Sequence, residues 1–145
     1  VVAGTAMAWV KSRRFPRFQV GNVALVTIDT RTVKAGRIKD ISRGGLAFEY
    51  FEWKSDTTAP SRGQAVRADI ILHDGTFFLL ELPCNVIYDK IVADPVARGR
   101  VVNRRCGLKF GSFSRQQDGS LATFLDQHAV PLSTLSPDPV EQREP

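Results

Sequence analysis

Two short stretches carry the residue types that could do chemistry. Arg13-Arg14-Phe15-Pro16-Arg17 sets guanidinium groups at an R-x-x-x-R spacing, with Pro16 between them disfavouring a regular helix. Further along, Asp40-Ile41-Ser42-Arg43-Gly44-Gly45 sets a carboxylate, a hydroxyl and two glycines where one strand pattern turns sharply into the next. An arginine fork pairs bidentately with phosphate oxygens or with the O6/N7 edge of guanine, and a carboxylate accepts from guanine N–H groups. The glycines let backbone come close to a ligand. Together the two stretches suit a guanine nucleotide.

The R-x-x-x-R met by Arg13 and Arg17, followed by a D-x-S-x-x-G met by Asp40, Ser42 and Gly45, resembles the PilZ domain. Gly107-Leu108-Lys109-Phe110 is similar to that family's closing strand, and the resemblance spans roughly residues 11 to 128. It implies an all-β fold, a six-stranded antiparallel β-barrel with one C-terminal α-helix, acting as a receptor for the bacterial second messenger cyclic di-GMP and not as an enzyme. It also implies that Arg13 and Arg17 clamp phosphate and guanine, with Arg14 as a further contact. Asp40 and Ser42 then bind guanine or orient the arginines, while Gly44 and Gly45 shape the backbone at the ligand. The alternative for Asp40 and Ser42 is a turn-stabilising side-chain bond, and Arg43 reads either as a solvated charge or as an extra phosphate contact. The family binds one ligand or a stacked pair; Ser12, just before the first motif arginine, brings no extra guanidinium for a second ligand, although Arg14 offers one, and one ligand per chain is the expectation. Output through a protein partner or a fused effector module is implied as well, with no cofactor and no metal.

The net charge of +5 is unevenly placed: residues 1 to 47 hold nine Lys or Arg against two Asp, leaving −2 for the rest. An anionic ligand near the N-terminal third is the natural reading, against a solvated basic face. At 145 residues, 43% hydrophobic and 24% charged, the chain has the size and composition of one soluble domain with an ordinary core. No apolar run approaches the length that crosses a bilayer, and no basic-then-apolar leader pattern opens the chain. Val1 is not an initiator methionine, so the chain reads as part of something longer. Cys84 and Cys106 are too few for a disulfide framework or a zinc site, and both fall in apolar strand patterns. Buried, reduced thiols and a cytoplasmic location follow.

The elements that must position the two stretches are mostly strands. Strand patterns run over 18–28, 33–40, 46–50, 66–72, 78–88 and 101–110, with turns at Asp29 to Thr32 and at Asp74-Gly75. Gly36 permits a bulge or a close backbone approach, and Pro83 predicts a bend or an edge position. Phe78, Leu80, Leu82, Cys84, Val86 and Tyr88 recur at period two, as do Phe48 and Tyr50, which assigns these aromatics to the core. Ser114 with Gln117 fits a capping box opening a helix that carries Leu121, Phe124 and Leu125, with Pro131 as its stop. The expected organisation is an N-terminal arm or linker over 1–12, the barrel domain over 13–130 and a disordered tail over 131–145.

Catalysis finds no support. His73 and His128 have no matched nucleophile or carboxylate neighbourhood and read as surface or packing residues, and no phosphate-cradling glycine-rich loop with its lysine is present. Trp9 and Trp53 read as apolar anchors. Two further readings stay open: a basic barrel binding single-stranded nucleic acid through stacking aromatics, and a protein-interaction adaptor without a ligand.

Overall fold

The period-two segments pair into one antiparallel sheet in the computed structural model, which describes residues 16–20, 24–72, 75, 78–94 and 98–131. The elements are β1 (Phe18–Val20), β2 (Ala24–Ile28), β3 (Lys34–Ile41), β4 (Gly45–Trp53), β5 (Ala65–Leu72), β6 (Phe78–Val92), β7 (Val101–Phe110), α1 (Arg115–His128) and β8 (Ala129–Pro131). Strands β2, β5, β6, β7, β4 and β3 are neighbours in that order, and β2 pairs again with β3, closing a six-stranded barrel. Closure pairs the wall strands on both sides and removes the open sheet edges that would template association. Val26, Ile28, Ile38, Phe48, Ile70, Leu82, Val86 and Leu108 are among the side chains that fill it.

The capping box forms as its sequence predicts: Ser114 Oγ accepts from Gln117 N at 3.0 Å, and Gln117 Oε1 accepts from Ser114 N at 2.9 Å. Leu121, Phe124 and Leu125 of α1 join the core at the end where β7 finishes, and Gln117 Nε2 ties the helix to the carbonyls of Leu80 and Glu81. The His128 ring packs tilted against Phe124, with centroids 5.5 Å apart. Two short strands lie beyond the six expected. The first expected strand is divided into β1 and β2, and Pro131 ends a strand, β8, that pairs with β1. Phe18 of β1 in turn pairs with Ile41 of β3.

Three bulges break the simple alternation. In β6, Leu80 and Glu81 together oppose Asp69, because Ala68 pairs with Leu82 and Ile70 with Leu79. Glu81 takes a left-handed φ of 53°, and its N–H donates to Asp69 Oδ1 at 2.7 Å. A second extra residue, Ile87, lies between the Val86–Leu108 and Tyr88–Gly107 pairs. The third, Lys39, lies between Ile38–Phe48 and Asp40–Ala47.

These bulges correct the core assignment for β6. Phe78 and Leu80 are exposed and Tyr88 is half-buried, while Leu79, Leu82, Cys84 and Val86 face the core. Pro83 is likewise no edge residue: it sits in a wall strand between β5 and β7, opposite Arg67, where its carbonyl accepts from Gly111 N at 2.7 Å. Gly36 is needed for close approach, since a Cβ there would lie 1.8 Å from the Glu49 carbonyl oxygen. Cys84 and Cys106 are buried free thiols, and burial pushes the Cys84 thiol up to about 12.

The mouth opposite α1 is sealed by polar groups. Lys34, almost fully buried, donates to Glu52 and to Thr58 Oγ1 at 2.7 Å, with Asp56 at 3.6 Å. Beside it, Asp89 accepts from Tyr50 Oη at 2.6 Å and from Arg104 Nε at 2.5 Å. Each buried charge therefore has a partner, as a low-dielectric site requires.

Candidate functional site

The bulge at Lys39 aims the site. With unbroken alternation Asp40 would share the inward face of Ile38; the extra residue turns Asp40 outward and still returns Ile41 to the core. Arg17 directly precedes β1, and the Phe18–Ile41 pair brings it alongside. Its Nη2 donates to Asp40 Oδ2 at 2.5 Å, a half-buried ion pair that joins residues 23 positions apart.

The 42–44 turn is held from both sides. Ser42 N donates to the Gly45 carbonyl at 2.8 Å, and Ser42 Oγ accepts from Gly44 N at 3.0 Å. The hydroxyl thus makes the turn-stabilising bond weighed for it and keeps its own proton to donate. The Gly44 carbonyl accepts from Phe110 N at 2.8 Å, which pins the turn to the end of β7. Gly45 is glycine because of crowding: a Cβ there would lie 2.1 Å from the Leu108 carbonyl oxygen. Arg43 is exposed at the tip.

The structure therefore brings Arg17, Asp40, Ser42, Gly44 and Gly45 together on the outer wall. Arg13 and Arg14 lie outside the described residues, as do Trp9, His73, the 1–12 arm and the 132–145 part of the expected tail. Trp53, read as an apolar anchor, is instead exposed at the end of β4. Among the described residues no three His, Cys, Asp or Glu side chains group as metal ligands, and no helix is long and apolar enough to cross a membrane.

One residue of this wall escapes sequence reasoning. The register runs Asp40, Ala47, Gly107, Tyr88 across β3, β4, β7 and β6, and the Tyr88 ring lies flat over Gly107, whose Cβ would meet it at 2.4 Å. Burial pushes the Tyr88 phenol up; Arg105 and Arg17 oppose that shift and Asp40 adds to it, so the ring shares the electrostatic surroundings of the ion pair. The pairing of a bulky aromatic with a facing glycine was the available clue, hidden by the bulge at Ile87. Next to it Arg105 forms a fork on Glu49 Oε2, with Nε at 2.8 Å and Nη2 at 2.5 Å, and Asn103 donates to Glu49 Oε1 at 2.9 Å.

Comparison with known proteins agrees with this architecture. The PilZ domain of Escherichia coli YcgR, solved with c-di-GMP, superposes with a TM-score of 0.59 at 14% identity, over 91% of this chain and 97% of that one. The K. pneumonia MrkH–c-di-GMP complex gives 0.59 at 16% identity, over 91% and 54%. The Bacillus subtilis inhibitor of motility, MotI/DgrA, gives 0.55 at 21% identity, over 77% and 48%. The chain spans about half the length of MotI/DgrA and of the longer YcgR structure. No significant relative is found among curated proteins. The PilZ domain family model matches residues 11–127, most of the sequence, and the chain belongs to that family.

Proposed function

We propose that this domain is a receptor for cyclic di-GMP, with Arg13, Arg14, Arg17, Asp40, Ser42, Gly44 and Gly45 forming the binding surface. The observation that carries the reading is the Arg17–Asp40 ion pair, which joins parts of both sequence motifs on the outer wall of a PilZ barrel. Arg17 spends one of its five guanidinium donors on Asp40, leaving others for phosphate or a guanine edge. Asp40 has lone pairs left for guanine N–H groups, and the Ser42 hydroxyl keeps its donor. Similarity to PilZ barrels solved with c-di-GMP supports the same ligand class here. The buried free thiols suit a reducing cytoplasm.

Nothing in this reading asks for bond breaking. Occupancy acts by repositioning the segment ahead of Phe18 against the barrel, and that movement reaches a partner or a fused module. Calorimetric titration with cyclic di-GMP, beside GTP and a short single-stranded oligonucleotide, tests the proposal. Saturable binding of cyclic di-GMP with little response to the other two is expected. Preference for the oligonucleotide would instead favour a nucleic-acid barrel, and silence with all three an adaptor.

A further inference from the structure

We infer that the barrel mouth opposite α1 docks on an anionic phospholipid surface. Four large apolar side chains stand out of this rim: Val33 at 68% exposure, Phe51 at 54%, Trp53 at 61% and Ile91 at 61%. They come from the β2–β3 turn, the end of β4 and the end of β6, which the antiparallel register brings to one end of the barrel. Thr32 Oγ1 meets Thr58 Oγ1 at 2.9 Å, and Lys54 N donates to the Arg100 carbonyl at 2.6 Å, so the turns form one continuous rim.

The charges differ around these side chains: Val33 adjoins a cleft with Asp29, Asp69 and Glu81 beside Arg67, whereas around Trp53 the carboxylates are engaged within the barrel end. Glu52 and Asp56 face Lys34, Asp89 holds Tyr50 and Arg104, Asp94 accepts from Asn103, and Asp29 Oδ1 accepts from Arg67 N. Arg31, Lys54, Arg98 and Arg100 are exposed, and among the described residues none of them has an acidic partner. Trp53, Lys54, Ser55 and Arg100 line a shared open cleft at the tip.

The Trp53 tip, flanked by Lys54 and Arg100 without acidic partners among the described residues, matches the chemistry of a headgroup layer: tryptophan favours the polar–apolar boundary, and lysine and arginine meet anionic phosphates. Val33 and Ile91 offer no ring on which a nucleobase could stack, which favours lipid over single-stranded nucleic acid. This rim lies at the other end of the barrel from Arg17 and Asp40, so the inference does not depend on the ligand proposed there.

Sedimentation of the full chain with vesicles tests it. Partition onto phosphatidylcholine vesicles containing phosphatidylglycerol is expected, with little onto phosphatidylcholine alone. Each basic residue removed from the rim should lower the partition coefficient about fivefold, so a Lys54→Ala, Arg100→Ala pair should lower it roughly 25-fold. Trp53→Ser should weaken it as well, and Arg115→Ala on α1 should leave it unchanged. All these positions are exposed, and unchanged thermal melting will verify that the variants fold. In a Trp9→Phe background, Trp53 emission should shift to the blue on binding. Absence of partition onto the anionic vesicles, or partition indifferent to the rim substitutions, overturns the inference. So does oligonucleotide binding that the same substitutions abolish while vesicle binding persists.

Discussion

Replacing Arg17 by alanine separates binding from folding. The side chains of Arg17 and Asp40 are 32% and 18% exposed, and Arg17 precedes the first strand without packing into the core. Solvent screens such a pair, so its loss should cost about 0.2–1 kcal/mol of stability. If the guanidinium also clamps cyclic di-GMP, a charge-assisted bidentate contact of about 1–3 kcal/mol disappears, which weakens binding roughly 5- to 150-fold. Calorimetric Kd and urea melts on the same preparations give both numbers. Arg17→Lys is the sharper control, because it keeps the charge and removes the planar fork; it should recover stability better than affinity. Wild-type affinity in Arg17→Ala with an unchanged melt would remove Arg17 from the clamp. A loss of several kcal/mol in the melt would make it a folding residue instead.

Arg13→Ala should weaken binding in the same range as Arg17→Ala, without a change in melting temperature. A paired Asp40→Ala, Ser42→Ala variant should lose guanine discrimination more than phosphate affinity, seen as a smaller ratio of cyclic di-GMP to cyclic di-AMP binding; an unchanged ratio assigns discrimination elsewhere. Gly45→Ala should destabilise by about 1–3 kcal/mol in urea melts, because its Cβ would meet the Leu108 carbonyl at 2.1 Å between the paired strands β4 and β7. Burial pushes the Glu49 carboxyl up, but bonds from Asn103 and Arg105 outweigh it and hold the group below the usual carboxylate range. Its contribution is therefore present above the unfolded-state value and lost as pH falls through the carboxylate range, so Glu49→Gln should flatten the acid limb of the stability profile. Hydrogen exchange should show ligand-dependent protection between Trp9 and Phe18 with little change near Phe124; equal protection with and without cyclic di-GMP would count against a moving arm.

The barrel was legible because most of its information is local. Alternation marked the wall strands, Asp74-Gly75 marked the β5–β6 connection where Gly75 takes a φ of 77°, and Ser114 with Gln117 marked the helix start. What escaped depended on pairings between distant strands. A bulge adds one residue to one strand of a pair, and nothing within β6 alone says that Leu80 and Glu81 must together face Asp69, or that Ile87 has no opposite number. Each such insertion reverses the inward and outward faces of everything beyond it, which is why Phe78 and Tyr88 left the core that simple counting gave them. The β1–β8 pair was hidden for the same reason, since its register joins residues more than a hundred positions apart.

The same physics bears on the site. Asp40 was selected by residue type and spacing, yet its position two residues after the buried Ile38 argues against a surface role if alternation is taken as unbroken. The bulge at Lys39 resolves that conflict: it leaves Ile38 and Ile41 both in the core and sets Asp40 outside, within reach of Arg17. A register irregularity here is thus what allows one strand to supply the barrel interior and the proposed ligand surface together.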